Sequence, residues 1–234
     1  MNIYNLKART YPLIIAIIPI VVVGIIYSIN LQNIYQLLIS LGITASLFFL
    51  MSQIGRDNGK KLEAKMWEKW SGTPTTQILR YSNDSIDKHT KKRYHTFLKD
   101  KTKIGEKLNE EFEAENKKEA DNIYTSWSKF LISKTRDTTK FNLLFQENIN
   151  YGFRRNLLGL KPFAITVIIT LLLLCYIYSY VASNYILVFS QELIQSTVFL
   201  ISCLLFWIVI VNNKWVKYVA FEYAKRLMET IENE

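Results

Sequence analysis

From Lys161 to Lys214 the chain reads KPFAITVIITLLLLCYIYSYVASNYILVFSQELIQSTVFLISCLLFWIVIVNNK, and of the 52 residues between those lysines only Glu192 is charged. An earlier gap, between Arg9 and Arg56, runs 46 residues with no charged side chain. In a chain that is 21% charged, such gaps mark segments from which charge is excluded. A bilayer core does this, because an ionised side chain there costs several kcal/mol. Residues 56–161 between the gaps are dense in charge and read as water-facing.

A helix crosses about 30 Å of hydrocarbon with roughly 20 apolar residues. Each gap is about twice that long, so each predicts a helical hairpin. The first helix is expected over Tyr11–Tyr27, with Pro12 at its start and Pro19 and Gly24 loosening it. An uncharged turn, Ser28–Asn33, leads to a second helix over Ile34–Met51. The third is expected to begin after Leu160-Lys161-Pro162 and to end near Ala182. A turn holding Ser183, Asn184, Ser190, Gln191 and Glu192 precedes a fourth over Leu193–Val211. The first helix carries no small-x-small cleavage site and reads as a retained anchor.

The middle segment carries 23 basic against 15 acidic residues, the N-terminal tail has Lys7 and Arg9, and the hairpin turns have no Lys or Arg. The positive-inside rule then places both termini and the middle segment in the cytoplasm. The net charge of +9 has the same cause, which disfavours a dedicated nucleic-acid surface. Cys175 and Cys203 fall inside apolar stretches and read as core residues, not as a disulfide or metal pair.

The fold class predicted is all-α: two transmembrane hairpins with a helical cytoplasmic domain inserted between them and a C-terminal cytoplasmic helix. The expected boundaries are 1–54, 55–161, 162–212 and 213–234. Within the cytoplasmic segment helices are expected over Asp57–Trp70, from about Thr76, after Asp84-Ser85, and over Ala120–Lys134, where Ile123, Trp127, Phe130 and Leu131 are in phase. Lys99–Lys118 reads as loop or exposed helix. Strand-like alternation is absent.

Gly55–Lys61 resembles a phosphate loop only superficially, since the spacing puts Ile54 where the first glycine is required. It reads as a flexible exit from the second helix. His89 and His95 do not share a helix face well and have no cysteine beside them, so no metal site is expected. No catalytic arrangement has motif spacing; Asp84, Asp87, His89 and His95 form the one cluster an enzyme reading could use. No cofactor is implied.

Arginines and lysines recur beside aromatic and hydroxyl residues at segment boundaries. Arg56, Lys60, Arg80, Arg93, His95, Arg136, Arg154 and Arg155 form the candidate ligand-binding set. Guanidinium forks phosphate and rings stack on bases, so the set suits an anionic ligand such as a nucleotide. Arg–Asp and Arg–Glu pairing plus headgroup contacts is the structural alternative. Gln36, Ser40 and Thr44 lie at i, i+4, i+8 and form a polar stripe for helix packing or pore lining.

The string Trp70-Ser71-Gly72-Thr73-Pro74-Thr75-Thr76-Gln77-Ile78-Leu79-Arg80, with Arg93-Tyr94-His95, Thr135-Arg136-Asp137 and residues Glu147–Asn156, resembles a group of bacterial four-span membrane proteins. The layout also resembles the four-transmembrane effectors of nucleotide-signalled anti-phage systems. The resemblance implies an oligomeric, pore-forming effector that senses a nucleotide signal or a cytoplasmic defence protein and damages the bilayer. A non-enzymatic scaffold that docks a cytoplasmic partner is the other expectation.

Overall fold

The computed structural model describes residues 3–27 and 43–233, and among them every regular element is helical. They are α1 (Ile3–Ile26), α2 (Ile43–Lys69), α3 (Pro74–Gln77), α4 (Lys88–Thr102), α5 (Glu110–Glu115), α6 (Lys117–Lys134), α7 (Asn142–Ala182), α8 (Gln191–Ile210) and α9 (Asn213–Glu229). A short 3₁₀ turn, Thr230–Asn233, follows α9. Three helices, α1, α7 and α8, are long and apolar enough to cross a membrane. The chain is an all-helical protein with the composition of a membrane protein. The expected Ser28–Asn33 turn, Gln36 and Ser40 lie outside the described residues, and of Thr44 only its place in α2 is described.

Contacts divide the chain into two units, Met1–Glu63 with Gly152–Val216, and Ala64–Tyr151 with Lys217–Glu234. The first unit thus takes in residues 55–63 and 152–161, which the charge pattern assigns to the middle segment. The cause is a close helix crossing. Gly55 and Gly59 sit in α2, and a Cβ added at Gly159 of α7 would lie 2.5 Å from the Gly55 carbonyl oxygen and 2.5 Å from the Gly59 nitrogen. Glycines four apart let helix backbones touch in this way. The segment read as a flexible exit is therefore a packed helical turn. Pro162 likewise does not start a helix, since α7 runs through it from Asn142. Burial of Leu157, Leu160, Ala164 and Ile168 on either side offsets the hydrogen bond that proline lacks.

α1 and α8 each contain one π-helical stretch, Leu6–Thr10 and Phe206–Ile210. Such stretches leave carbonyls to be satisfied by side chains. Asn156 Nδ2 donates to the Ala8 carbonyl at 2.7 Å, and Lys161 Nζ donates to the Val211 carbonyl at 2.7 Å.

The second unit has an aromatic core of Tyr94, Tyr124, Trp127, Phe141, Leu98 and Leu227 among others. Its helices start where caps permit. Thr73, Asp87 and Asn109 accept from the backbone N–H three residues on, at the heads of α3, α4 and α5. α4 ends at Lys103 in the left-handed region, and the turn beyond it uses Gly105 (φ +82°), where a Cβ would meet Ile123 and Trp127. Residues 110–115 of the stretch read as loop or exposed helix form α5, whose Glu113 is buried.

Candidate functional site

Arg56, Lys60, Arg154 and Arg155 belong to the first unit; Arg80, Arg93, His95 and Arg136 belong to the second. In the first, Arg155 Nη1 donates to Glu63 Oε1 at 2.9 Å with both side chains nearly excluded from solvent. Arg154 donates to the Trp215 carbonyl at 3.0 Å, its guanidinium lying 4.6 Å from that ring's centroid. Arg56 reaches Gln53 Oε1 at 3.3 Å in its own helix, and Lys60 is exposed. The two buried or stacked arginines are thus structural cross-links between helices.

In the second unit the Trp70–Arg80 string is held by charge. Arg80 Nε and Nη2 donate to the two Asp121 oxygens at 2.8 Å, and Nη2 also donates to the Ser71 carbonyl at 2.7 Å. Lys91 Nζ donates to the Arg80 carbonyl at 2.8 Å and also to the Asn83 carbonyl. Glu113 accepts from the Tyr81 and Ser82 N–H groups and from the Tyr124 hydroxyl. Burial opposes ionisation of Glu113, but these donors outweigh it and hold its carboxyl below the usual range. Each backbone group of an irregular segment needs a partner, and here α4 and α5 supply several while α6 holds the Arg80 side chain.

His95 completes this clamp. Its Nε2 lies 2.8 Å from the Leu79 carbonyl and so carries the hydrogen, while Nδ1 is buried with no partner among the described residues. Tyr81, Tyr124 and Trp127 surround the ring at centroid distances of 4.8, 5.7 and 5.3 Å. Burial there pushes its pKa down to about 4, so it is neutral at pH 7 and offers no charge to an anion. Arg93 pairs with Glu232 at 2.9 Å on the surface, and Arg136 is exposed.

Elsewhere in this unit, three exposed lysines lie beside aromatic rings and clefts. Lys101, Lys134 and Lys140 stand 5.7, 5.9 and 5.1 Å from the ring centroids of Phe97, Phe130 and Phe141. Among the described residues none of the three lysines forms a salt bridge. They line two clefts, of about 70 Å³ between Phe97 and Phe130 and about 200 Å³ beside Phe141 and Arg226, with Thr230 in the wall of both. Lysine over phenylalanine beside a shallow cleft can receive an anionic group together with an apolar one. Lys101, Lys134 and Lys140 were missed by the arginine-centred pattern, because they come from three separate segments, α4, α6 and the turn before α7, and only the fold places them beside the clefts. Among the described residues no group of three metal-ligating side chains occurs. No family model matches this chain, and no curated protein or solved structure does either.

Proposed function

We propose that this chain is an oligomeric four-span effector of the bacterial inner membrane, with both termini and the second unit in the cytoplasm. The second unit takes an anionic signal, and binding shifts helix packing in the first unit until the bilayer leaks. The observation that carries the reading is that Lys101, Lys134 and Lys140, which form no salt bridge among the described residues, line clefts beside phenylalanine rings in a chain that also holds three membrane-length apolar helices. The resemblance to anti-phage effectors supplies the setting. A signal acts in this way only by binding one packing more tightly than the other.

The cleft volumes bear on the kind of signal. Small-molecule pockets measure about 300–1,000 Å³. Clefts of about 70 and 200 Å³ are the size of single side chains, which favours an acidic segment of a partner protein over a nucleotide. The same observation supports the second reading, a scaffold that docks such a partner without opening the bilayer.

Dye release from proteoliposomes carrying the full chain separates the two. Leakage on adding a nucleotide or a co-encoded acidic protein, abolished by Lys134→Glu with Lys140→Glu, supports the effector. Stoichiometric, lysine-dependent binding of the protein with no leakage supports the scaffold. Neither binding nor leakage removes both.

A further inference from the structure

Glu192 is the sole charged residue between Lys161 and Lys214, and no basic side chain forms an ion pair with it among the described residues. It lines a cleft of about 310 Å³ where the end of α1, the end of α7 and the start of α8 meet within the first unit. Tyr27 and Tyr178 form two of its walls, with ring centroids 5.4 Å apart and planes at 87°. Ser179, Ser183 and Ser190 add hydroxyl groups. The volume falls within the range of small-ligand pockets.

From these residues we infer that the cleft is a binding site for a primary ammonium group. The argument is one of charge and donor chemistry. A carboxylate repels phosphate and attracts a cation. Two tyrosine rings at right angles form a corner that a cation occupies favourably, through the negative faces of the rings. Serine oxygens accept hydrogen bonds from an N–H-bearing cation, which a trimethylammonium group cannot donate. Two of these hydroxyls are fixed in place. Ser179 Oγ donates to the Val188 carbonyl at 2.6 Å, and Ser190 Oγ accepts from the Leu193 N–H as the cap of α8. A divalent metal is less suited, because one carboxylate is the sole anionic ligand the cleft offers.

The position also fits. The apolar runs of α1 and α7 end at this cleft, and tyrosines at the ends of membrane helices sit at headgroup level. The ammonium can come from a phospholipid headgroup or from a free amine. The inference needs the chain to be membrane-embedded but does not need it to open a pore.

The test uses the full chain in detergent, exchanged against an equimolar mixture of phosphatidylethanolamine and phosphatidylglycerol. Retained lipid is read by native mass spectrometry. In a second arm, ethanolamine and choline are titrated against thermal unfolding in phosphatidylglycerol nanodiscs. Wild-type protein should retain the amine lipid preferentially, or be stabilised by ethanolamine more than by choline. Glu192→Gln should reduce that preference about tenfold, the loss expected for one ion pair of about 1.4 kcal/mol. Tyr178→Leu, at an exposed position, should weaken it without unfolding the chain. A response in the lipid arm alone names the headgroup as the source; a response in the amine arm alone names a soluble amine. Equal behaviour of wild type and Glu192→Gln, a choline response as strong as that to ethanolamine, or no amine preference in either arm would overturn the site. A chain that never releases dye can still pass this test, so its failure is distinct from failure of the effector reading.

Discussion

In the unit built from Met1–Glu63 and Gly152–Val216, polar side chains reach for backbone carbonyls of helices; in the unit built from Ala64–Tyr151 and Lys217–Glu234 they hold the turns that flank the single helical turn α3. Asn156, Lys161 and Arg154 each donate to a carbonyl of another helix. Arg80, Lys91, His95 and Glu113 converge instead on residues 71–83. The difference follows from what each unit is made of. Apolar helices leave few polar atoms unsatisfied, and those arise at π-helical stretches and helix ends. A small aromatic domain with such turns must find a partner for every buried amide and carbonyl in them.

The largest expected effect separates backbone contact from side-chain contact in the first unit. Gly159→Ala drives a methyl group into the backbone of Gly55 and Gly59, neither of which can rotate away. A loss of about 3 kcal/mol is expected, read as a lower midpoint of thermal unfolding in detergent. Gly55→Ala places its methyl 2.8–3.1 Å from the Leu160 side chain, which can change rotamer. That variant should lose about 1 kcal/mol, the low end for overpacking, since the clash is with a side chain and not with backbone. Equal losses would mean that the glycine crossing does not fix the packing of this unit.

The second unit should reveal itself through pH. His95 titrates near 4 when folded, against an ordinary value near 6.5. Between those values the unfolded chain binds the proton and the folded chain does not. Stability therefore falls as pH drops from about 6.5 towards 4, and the residue has no pH-dependent effect above 6.5. Roughly 3 kcal/mol should be lost over this window. His95→Phe should be less stable at pH 7, because the Leu79 carbonyl loses its donor, yet flatter below 6.5. Chemical denaturation at pH 7, 6, 5 and 4.5 checks both. A variant with the wild-type slope would show that the ring is not shielded as its three aromatic neighbours imply.

A smaller effect is expected where Lys161 caps the end of α8. Its ammonium group satisfies the Val211 carbonyl at 2.7 Å and approaches that of Ile208 at 3.3 Å. Lys161→Met keeps the stem and removes the donor. About 1–2 kcal/mol should be lost, because the freed carbonyl lies at a helix end where a cation is also favoured by the dipole. Lys161→Arg should recover most of it. No difference between Met and Arg in thermal unfolding would place the stabilisation in the methylene stem alone.

The apolar helices α1, α7 and α8 were legible because charge exclusion is a property of composition, and α6 because Ile123, Trp127 and Leu131 share one face. The start of α4 was legible in outline: the reading put it after Asp84-Ser85, and the cap is Asp87. The glycine crossing was hidden behind a failed comparison with a phosphate loop, although Gly55 and Gly59 stand four apart in plain view. Pro162 misled because local hydrogen-bond loss is visible in sequence and the burial that offsets it is not. The candidate arginines illustrate the same limit. Their type and neighbourhood suit an anion, but only the fold shows that Arg80 is taken by Asp121 and Arg155 by Glu63. His95 looked like a binding residue beside Arg93, and its burial among three aromatic rings came from segments 14 to 32 residues away.

The smallest effect on stability should come with a large effect on binding. Lys134 is exposed, forms no salt bridge among the described residues and lines the cleft with its ammonium nitrogen 5.9 Å from the Phe130 ring centroid. Lys134→Glu removes a cation–π contact worth about 0.5–1 kcal/mol at an exposed site, so folding should be nearly unchanged. Arg80→Glu offers the opposite pattern, since it sets a buried carboxylate against Asp121 and should unfold the clamp. If the clefts receive an anionic partner, Lys134→Glu weakens that partner's binding at least tenfold while circular dichroism and melting stay at wild-type values. Its effect should shrink as salt is raised, because an exposed charge contact is screened at the surface. Reversal at an exposed lysine that lines neither cleft, such as Lys88→Glu, controls for net charge. If Lys88→Glu weakens binding as much as Lys134→Glu, the attraction belongs to the overall charge of +9 and the clefts lose their claim to the signal.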